Sequence, residues 1–135
     1  MSTSPTTNSS ALISIVDDDE SVREAVEGLI ESLGFRVNAF PSALDFLASP
    51  AMADTSCVIV DVHMPRMSGL ELCQRLAEQG HSIPTILITA YADESVRARA
   101  LANGVVGYLV KPFDDEALIG CVRLALGSDL PGGAD

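Results

Sequence analysis

Cys57-Val58-Ile59-Val60-Asp61, running on into Val62-His63-Met64-Pro65-Arg66-Met67-Ser68-Gly69, is the segment on which the fold turns. Four apolar residues follow one another without polar alternation and close on an aspartate, before a loop containing Pro and Gly. A strand with one wet face alternates polar and apolar residues, whereas an unbroken run belongs to a strand covered on both faces. Comparable runs, rich in Ile and Val, stand at 11–16, 35–40, 85–90 and 106–110. Between them lie stretches of helical period. These are 20–33, closed by Gly34; 41–48, opened by Pro41-Ser42; 69–79, closed by Gly80; 93–102, followed by Asn103-Gly104; and 114–126, followed by Gly127. Glycine just past the last periodic residue is a helix stop. Strand-then-helix units repeated in this way predict an α/β fold, a parallel sheet with helices on both faces.

At 135 residues the chain has the length of one domain, and 47% hydrophobic with 20% charged residues is a globular composition. The formal net charge of −11 repels nucleic acid and anionic lipid, so direct binding to DNA, RNA or a membrane surface is not expected. Cys57, Cys73 and Cys121 lie in apolar stretches with no C-x-x-C pattern, and read as small buried hydrophobes in a reducing compartment. No apolar run approaches the roughly 20 residues that span a bilayer, and 1–10 carries no Lys or Arg of a signal peptide. A soluble, cytoplasmic protein is expected. Its domain would occupy 11–126, between a disordered tail over 1–10 and a C-terminal tail or linker start over 127–135.

In an open parallel sheet, chemistry gathers beyond the carboxyl ends of the strands. The first strand ends in Asp17-Asp18-Asp19-Glu20, the third in Asp61, the fourth in Thr89-Ala90 and the fifth in Lys111-Pro112. Each has a mundane reading alone. Acids before a helix cap its free N–H groups, with Asp18 or Asp19 best placed, and Thr89 is an ordinary strand residue. Lys111 is harder to dismiss, being the only lysine in a chain whose seven other cations are arginines. Asp17, Asp18 and Asp61 are hard oxygen donors of the kind that hold Mg²⁺, and the group as a whole suits phosphoryl transfer. Phosphorylating Asp61 would replace its single charge by roughly −2. With a divalent cation and Lys111 the site then stays near neutrality, and without the metal it would stand near −3.

These motifs carry a family likeness. Ile15-Val16-Asp17-Asp18, the segment from Val60 to Gly69 with its Met-Pro-x-Met-Ser-Gly, Ile88-Thr89-Ala90 and Lys111-Pro112-Phe113 resemble bacterial response-regulator receiver domains, the CheY-like superfamily. The likeness covers about 11–126 and is strongest to receivers that precede a LuxR-type helix-turn-helix domain. It implies a doubly wound (βα)5 fold with strand order 2-1-3-4-5. It implies Asp61 as phosphoacceptor from a sensor histidine kinase, a phosphotransfer protein or a small acyl phosphate. Mg²⁺ would be bound by Asp18 directly, by Asp17 mainly through water, by Asp61 and by the backbone carbonyl of His63. Thr89 and Lys111 would hold the phosphoryl oxygens. On phosphorylation Thr89 would move toward the phosphoryl group and Tyr108 would turn inward. That switches the face of helix 4 (93–102), strand 5 and helix 5 (114–126) for partner binding or homodimerisation. The likeness also implies a signalling module with weak self-dephosphorylation, a cis Lys111-Pro112 peptide, and a phosphoryl lifetime tuned by His63 and Tyr91.

Two other readings use the same residues. Asp17-Asp18-Asp19-Glu20-Ser21 fits the D-x-D-x-[ST] nucleophile motif of haloacid-dehalogenase-type phosphatases, which would make Asp17 the nucleophile and leave Asp61 idle. A receiver that is never phosphorylated is the other. Gly104 and Gly107 form no phosphate-cradling loop. Arg97 and Arg99 read as solvated, and Phe40, Phe46 and Phe113 as core or near it.

Overall fold

The structure, a computed structural model, describes residues 11–127. The tails expected over 1–10 and beyond Gly127 lie outside those residues. The order is β1 (Leu12–Val16), α1 (Glu20–Ser32), β2 (Arg36–Phe40), α2 (Ala43–Ala48), α3 (Ala51–Asp54), β3 (Thr55–Asp61), α4 (Gly69–Glu78), β4 (Thr85–Thr89), α5 (Glu94–Ala102), β5 (Gly107–Val110) and α6 (Asp115–Leu126). All strand pairings are parallel, in the order β2-β1-β3-β4-β5. The helices numbered 4 and 5 from the sequence are therefore α5 and α6, because a single turn, α3, precedes β3. That turn is tied down by Thr55, whose hydroxyl donates to the Ala51 carbonyl at 2.8 Å and shares a 2.7 Å hydrogen bond with Ser14 of β1. The same anchorage brings Thr55 and Ser56 into β3, two residues earlier than expected.

Successive strand residues face opposite sides of a sheet. On one side Ile13, Ile15, Cys57, Ile59, Ile86 and Ile88 pack against Val26 and Ile30 of α1 and Leu118 and Val122 of α6. On the other Val16, Val58, Val60 and Leu87 meet Phe46 of α2, Leu72, Cys73 and Leu76 of α4, and Ala100 of α5. Both faces are dry, which explains the unbroken apolar runs of β1, β3 and β4. β2 departs from that reading. It sits at the sheet edge, and Arg36 and Asn38 are exposed while Val37 and Ala39 are half-buried. Cys57 and Cys73 are buried as expected, while Cys121 on α6 is half-buried. Burial and the neighbouring Cys121 push the Cys57 thiol up to about 12, so it acts as a hydrophobe. Among the described residues no helix is long and apolar enough to cross a membrane.

Helix starts follow the local chemistry. Asp19 rather than Asp18 caps α1, its carboxylate accepting from the Ser21 and Val22 amides. Ser68 and Glu71 form a reciprocal capping box on α4, and Asp93 caps α5 through the Ser95 and Val96 amides. Hydrogen bonds from the Val96 amide and then from the Ser95 side chain draw the exposed Asp93 carboxyl below its ordinary value.

Candidate functional site

The register brings the carboxyl ends of β1, β3, β4 and β5 to one rim, with Val16 opposite Val60, Asp61 opposite Ile88 and Thr89 opposite Val110. Asp17 continues from β1 and is fully buried. Every polar atom of this residue is engaged. Its N–H donates to the Phe40 carbonyl at 3.1 Å, and one carboxylate oxygen accepts the Asp19 N–H at 2.9 Å. The other oxygen accepts from Lys111 Nζ at 3.1 Å, and the main-chain carbonyl accepts from Arg23 Nη1 at 2.7 Å. Asp61 ends β3 at 5% exposure and meets the same ammonium, Lys111 Nζ standing 3.3 Å from its Oδ1. Asp18 is exposed at the mouth.

Charge is unbalanced here. Burial first, then the like charge of Asp17, raises the Asp61 carboxyl above its ordinary value even against the opposing pull of Lys111. Burial works against the Lys111 ammonium, but its hydrogen bond to Asp17 and the charges of both aspartates outweigh this and raise it. One ammonium thus serves two buried carboxylates, with the exposed Asp18 as a third beside them.

Among the described residues, Asp17, Asp18 and Asp61 form a group able to hold a metal ion, each offering an oxygen within 4.8 Å of the others. Mg²⁺ takes oxygen ligands at about 2.1 Å, so an octahedral ion spans about 4.2 Å between opposite ligands. An all-oxygen donor set of this width, with surplus negative charge, fits such a cation.

The loop between β3 and α4 locks Asp61 from behind. The Val62 amide donates to the Ile88 carbonyl at 2.8 Å, and the Gly69 amide to the Val62 carbonyl at 3.0 Å. A Cβ on Gly69 would lie 2.5 Å from the Asp61 carbonyl oxygen. Only glycine lets α4 begin so close to the strand end. Arg66, in the same loop, holds φ at 73°, a left-handed conformation unusual for a side-chain-bearing residue. The Lys111-Pro112 peptide is cis, as the family likeness implied, and the Lys111 amide donates to the Thr89 carbonyl at 2.7 Å.

Thr89 and Tyr108 are nearby but turned elsewhere. The Thr89 hydroxyl donates to the Tyr91 carbonyl at 3.2 Å and accepts the Tyr91 amide at 3.0 Å. The Tyr108 hydroxyl accepts the Asp93 amide at 3.3 Å and donates to the Asp93 carbonyl at 3.4 Å, with its ring half-buried. The rings of His63 and Tyr91 meet edge to face at 5.4 Å. Arg97 and Arg99 are exposed, Arg97 pairing with Glu94 at 3.3 Å. Phe46 is fully buried, and Phe40 and Phe113 are half-buried.

Residues 13–123 match the response regulator receiver domain family. The chain belongs to that family. This receiver is 42% identical over 116 residues to the response regulator protein TmoT of Ectopseudomonas mendocina, covering 86% of this chain and 53% of TmoT. It is 39% identical over 115 residues to the transcriptional regulatory protein FixJ of Azorhizobium caulinodans, covering 85% and 54%. The structure of the response regulator StyR aligns with a TM-score of 0.81 at 37% identity, covering 87% of this chain and 59% of that one. The receiver spans about half the length of the curated relatives it matches. Receivers of this family are signalling modules of two-component systems, which interact with histidine kinases and often dimerise. Two residues that hold the site, Arg23 and Gly69, carried no role in the sequence reading. Arg23 sits on the helix after the acidic run, and the final glycine of Met-Pro-x-Met-Ser-Gly gives no sign of which backbone it approaches.

Proposed function

We propose that this receiver takes a phosphoryl group on Asp61 from a histidine kinase or phosphotransfer protein and uses it to reshape the α5-β5-α6 face. The observation that carries the reading is Lys111 Nζ lying 3.1 Å from Asp17 and 3.3 Å from Asp61 at the shared rim. In this reading an Asp61 oxygen attacks phosphorus, an O–P bond forms, and the bond from phosphorus to the donor's imidazole nitrogen or carboxyl oxygen breaks, its electron pair leaving with the donor. Lys111 Nζ offsets the charge gathering on the phosphoryl oxygens. Asp17, Asp18, Asp61 and the His63 carbonyl would hold Mg²⁺, which supplies charge neutralisation on those oxygens when bound. Thr89 must give up two hydrogen bonds to the Tyr91 backbone to reach the new phosphoryl group. Its departure would let the half-buried Tyr108 ring turn inward once the hydroxyl leaves Asp93. Water attack on the acyl phosphate makes self-dephosphorylation a slow side reaction.

The phosphatase alternative loses support from the same geometry, because it gives no role to Asp61, which shares the Lys111 ammonium with Asp17 at the rim. Leu101, Val110 and Leu124, exposed on α5, β5 and α6, favour pairing through that face. The receiver unit occupies 11–126 in a cytoplasmic protein. The relatives' names favour control of transcription as output. A net charge of −11 assigns any DNA contact to another domain or chain. Intact mass after acetyl phosphate treatment tests the core of this. One adduct is expected, lost with EDTA or in Asp61→Asn. An adduct that survives Asp61→Asn and disappears in Asp17→Asn would refute the assignment, and no adduct on the wild type would leave a receiver that is not phosphorylated.

A further inference from the structure

Asp17 and Asp18 leave the sheet at the point where β1 gives way to α1, and the peptide between them must be aimed. Arg23, half-buried on the first turns of α1, donates from Nη1 to the Asp17 carbonyl at 2.7 Å. The acceptor is a backbone carbonyl, so the guanidinium holds the peptide plane shared by Asp17 and Asp18 rather than competing for a carboxylate. The other polar atoms of Asp17 are fixed by Phe40, Asp19 and Lys111. Asp18 is exposed at the mouth, so its direction depends on the backbone that Arg23 secures. The short distance and the partial burial distinguish this arginine from Arg97, which pairs with a neighbour in solvent.

We propose that Arg23 is a positioning residue for the acidic pocket, setting Mg²⁺ affinity by fixing the Asp17–Asp18 peptide, an inference that rests on the phosphoacceptor reading above. Charge and positioning make opposite predictions. As a bare positive charge near three carboxylates, Arg23 would oppose a divalent cation, and removing it would tighten binding. As an orienting group, its loss weakens binding, and removal of such supporting contacts typically costs about 10–100-fold in metal affinity.

The experiment is a Mg²⁺ titration of the ¹⁵N-labelled full chain, followed by amide chemical shifts, for wild type, Arg23→Ala, Arg23→Met and the charge control Arg97→Ala. Arg23→Met keeps the apolar stem should the alanine variant fold poorly. The expected result is a Kd raised at least about 10-fold in both Arg23 variants and changed less than about twofold in Arg97→Ala. Acetyl phosphate labelling should need correspondingly more Mg²⁺, with the rate at saturating Mg²⁺ within about threefold of wild type. Tighter Mg²⁺ binding without Arg23 would overturn the proposal in favour of a charge effect. An unchanged Kd with a lowered urea midpoint would overturn it in favour of helix stabilisation alone. A wild type that binds no Mg²⁺ while Asp61 still accepts phosphate would remove this inference and leave the phosphoacceptor standing.

Discussion

Replacing Gly69 by alanine adds one methyl group where the start of α4 touches the end of β3. That Cβ would sit 2.5 Å from the Asp61 carbonyl oxygen, 3.0 Å from its carbon and 3.2 Å from Leu87 Cδ2. Helix and strand would have to separate by about 0.9 Å to restore an ordinary contact of about 3.4 Å. Two of the three obstacles are backbone at the end of the central strand, which cannot swing aside. Overpacking of this kind costs about 1–3 kcal/mol. The same substitution at Gly28, inside α1 with nothing within 4 Å of the added carbon, should instead stabilise by about 0.5–1 kcal/mol through helix propensity. Urea unfolding at 25 °C should therefore move the two midpoints in opposite directions at unchanged m-value. Because the displaced atom belongs to Asp61 itself, labelling by acetyl phosphate should slow as well, by about 10-fold or more, while Gly28→Ala labels normally. A Gly69→Ala protein within about 0.5 kcal/mol of wild type would refute the packing argument. Normal labelling in a clearly destabilised Gly69→Ala would refute the link between that contact and the phosphoacceptor.

Other outcomes follow from charge and backbone. In EDTA, the raised Asp61 carboxyl means the folded state holds its proton longer than the unfolded chain. Its contribution to stability should fall as pH rises from about 3.9 through the folded value, then level off, and Asp61→Asn should remove that component from urea midpoints measured against pH. Lys111 has the opposite window: its raised ammonium contributes below the unfolded value of about 10.4 and loses that contribution as pH climbs through the folded one, a loss absent in Lys111→Met. Mg²⁺ at 100 times its Kd should stabilise the wild type by about 2.7 kcal/mol, and Asp18→Asn should need markedly more metal for the same shift in Tm. Arg66→Gly, relieving φ of 73°, should stabilise by about 0.5–1 kcal/mol in urea, and no gain would mean the loop tolerates arginine there without strain.

Much of the fold was legible because a parallel sheet dry on both faces writes itself as consecutive apolar residues. The runs ending at Val16, Asp61 and Thr89 need no partner to be recognised. The edge strand β2 was legible in place but not in character, since Val37 and Ala39 pack on one face of the sheet while Arg36 and Asn38, on the other face of this edge strand, stay exposed. The cap of α1 was narrowed to two aspartates, and choosing Asp19 needed the path of the chain out of β1. The single turn α3 left no signal, being four residues held by Thr55 and Ser14 across the sheet.

The order of the motifs and the strand ends they occupy were determined by the sequence itself: Asp17, Asp18, Asp61, Thr89 and Lys111 each follow an apolar run, and apolar runs align in a parallel sheet. Distances between strands were decided only in three dimensions. Lys111 comes 94 positions after Asp17, and only the β1–β3–β4–β5 order brings its ammonium to both aspartates. The orientation of Thr89 and Tyr108, the hold of Arg23 on a carbonyl and the closeness of Gly69 to Asp61 are likewise tertiary facts. A residue's type states which bonds it can make, but packing against distant segments settles which of them it does make.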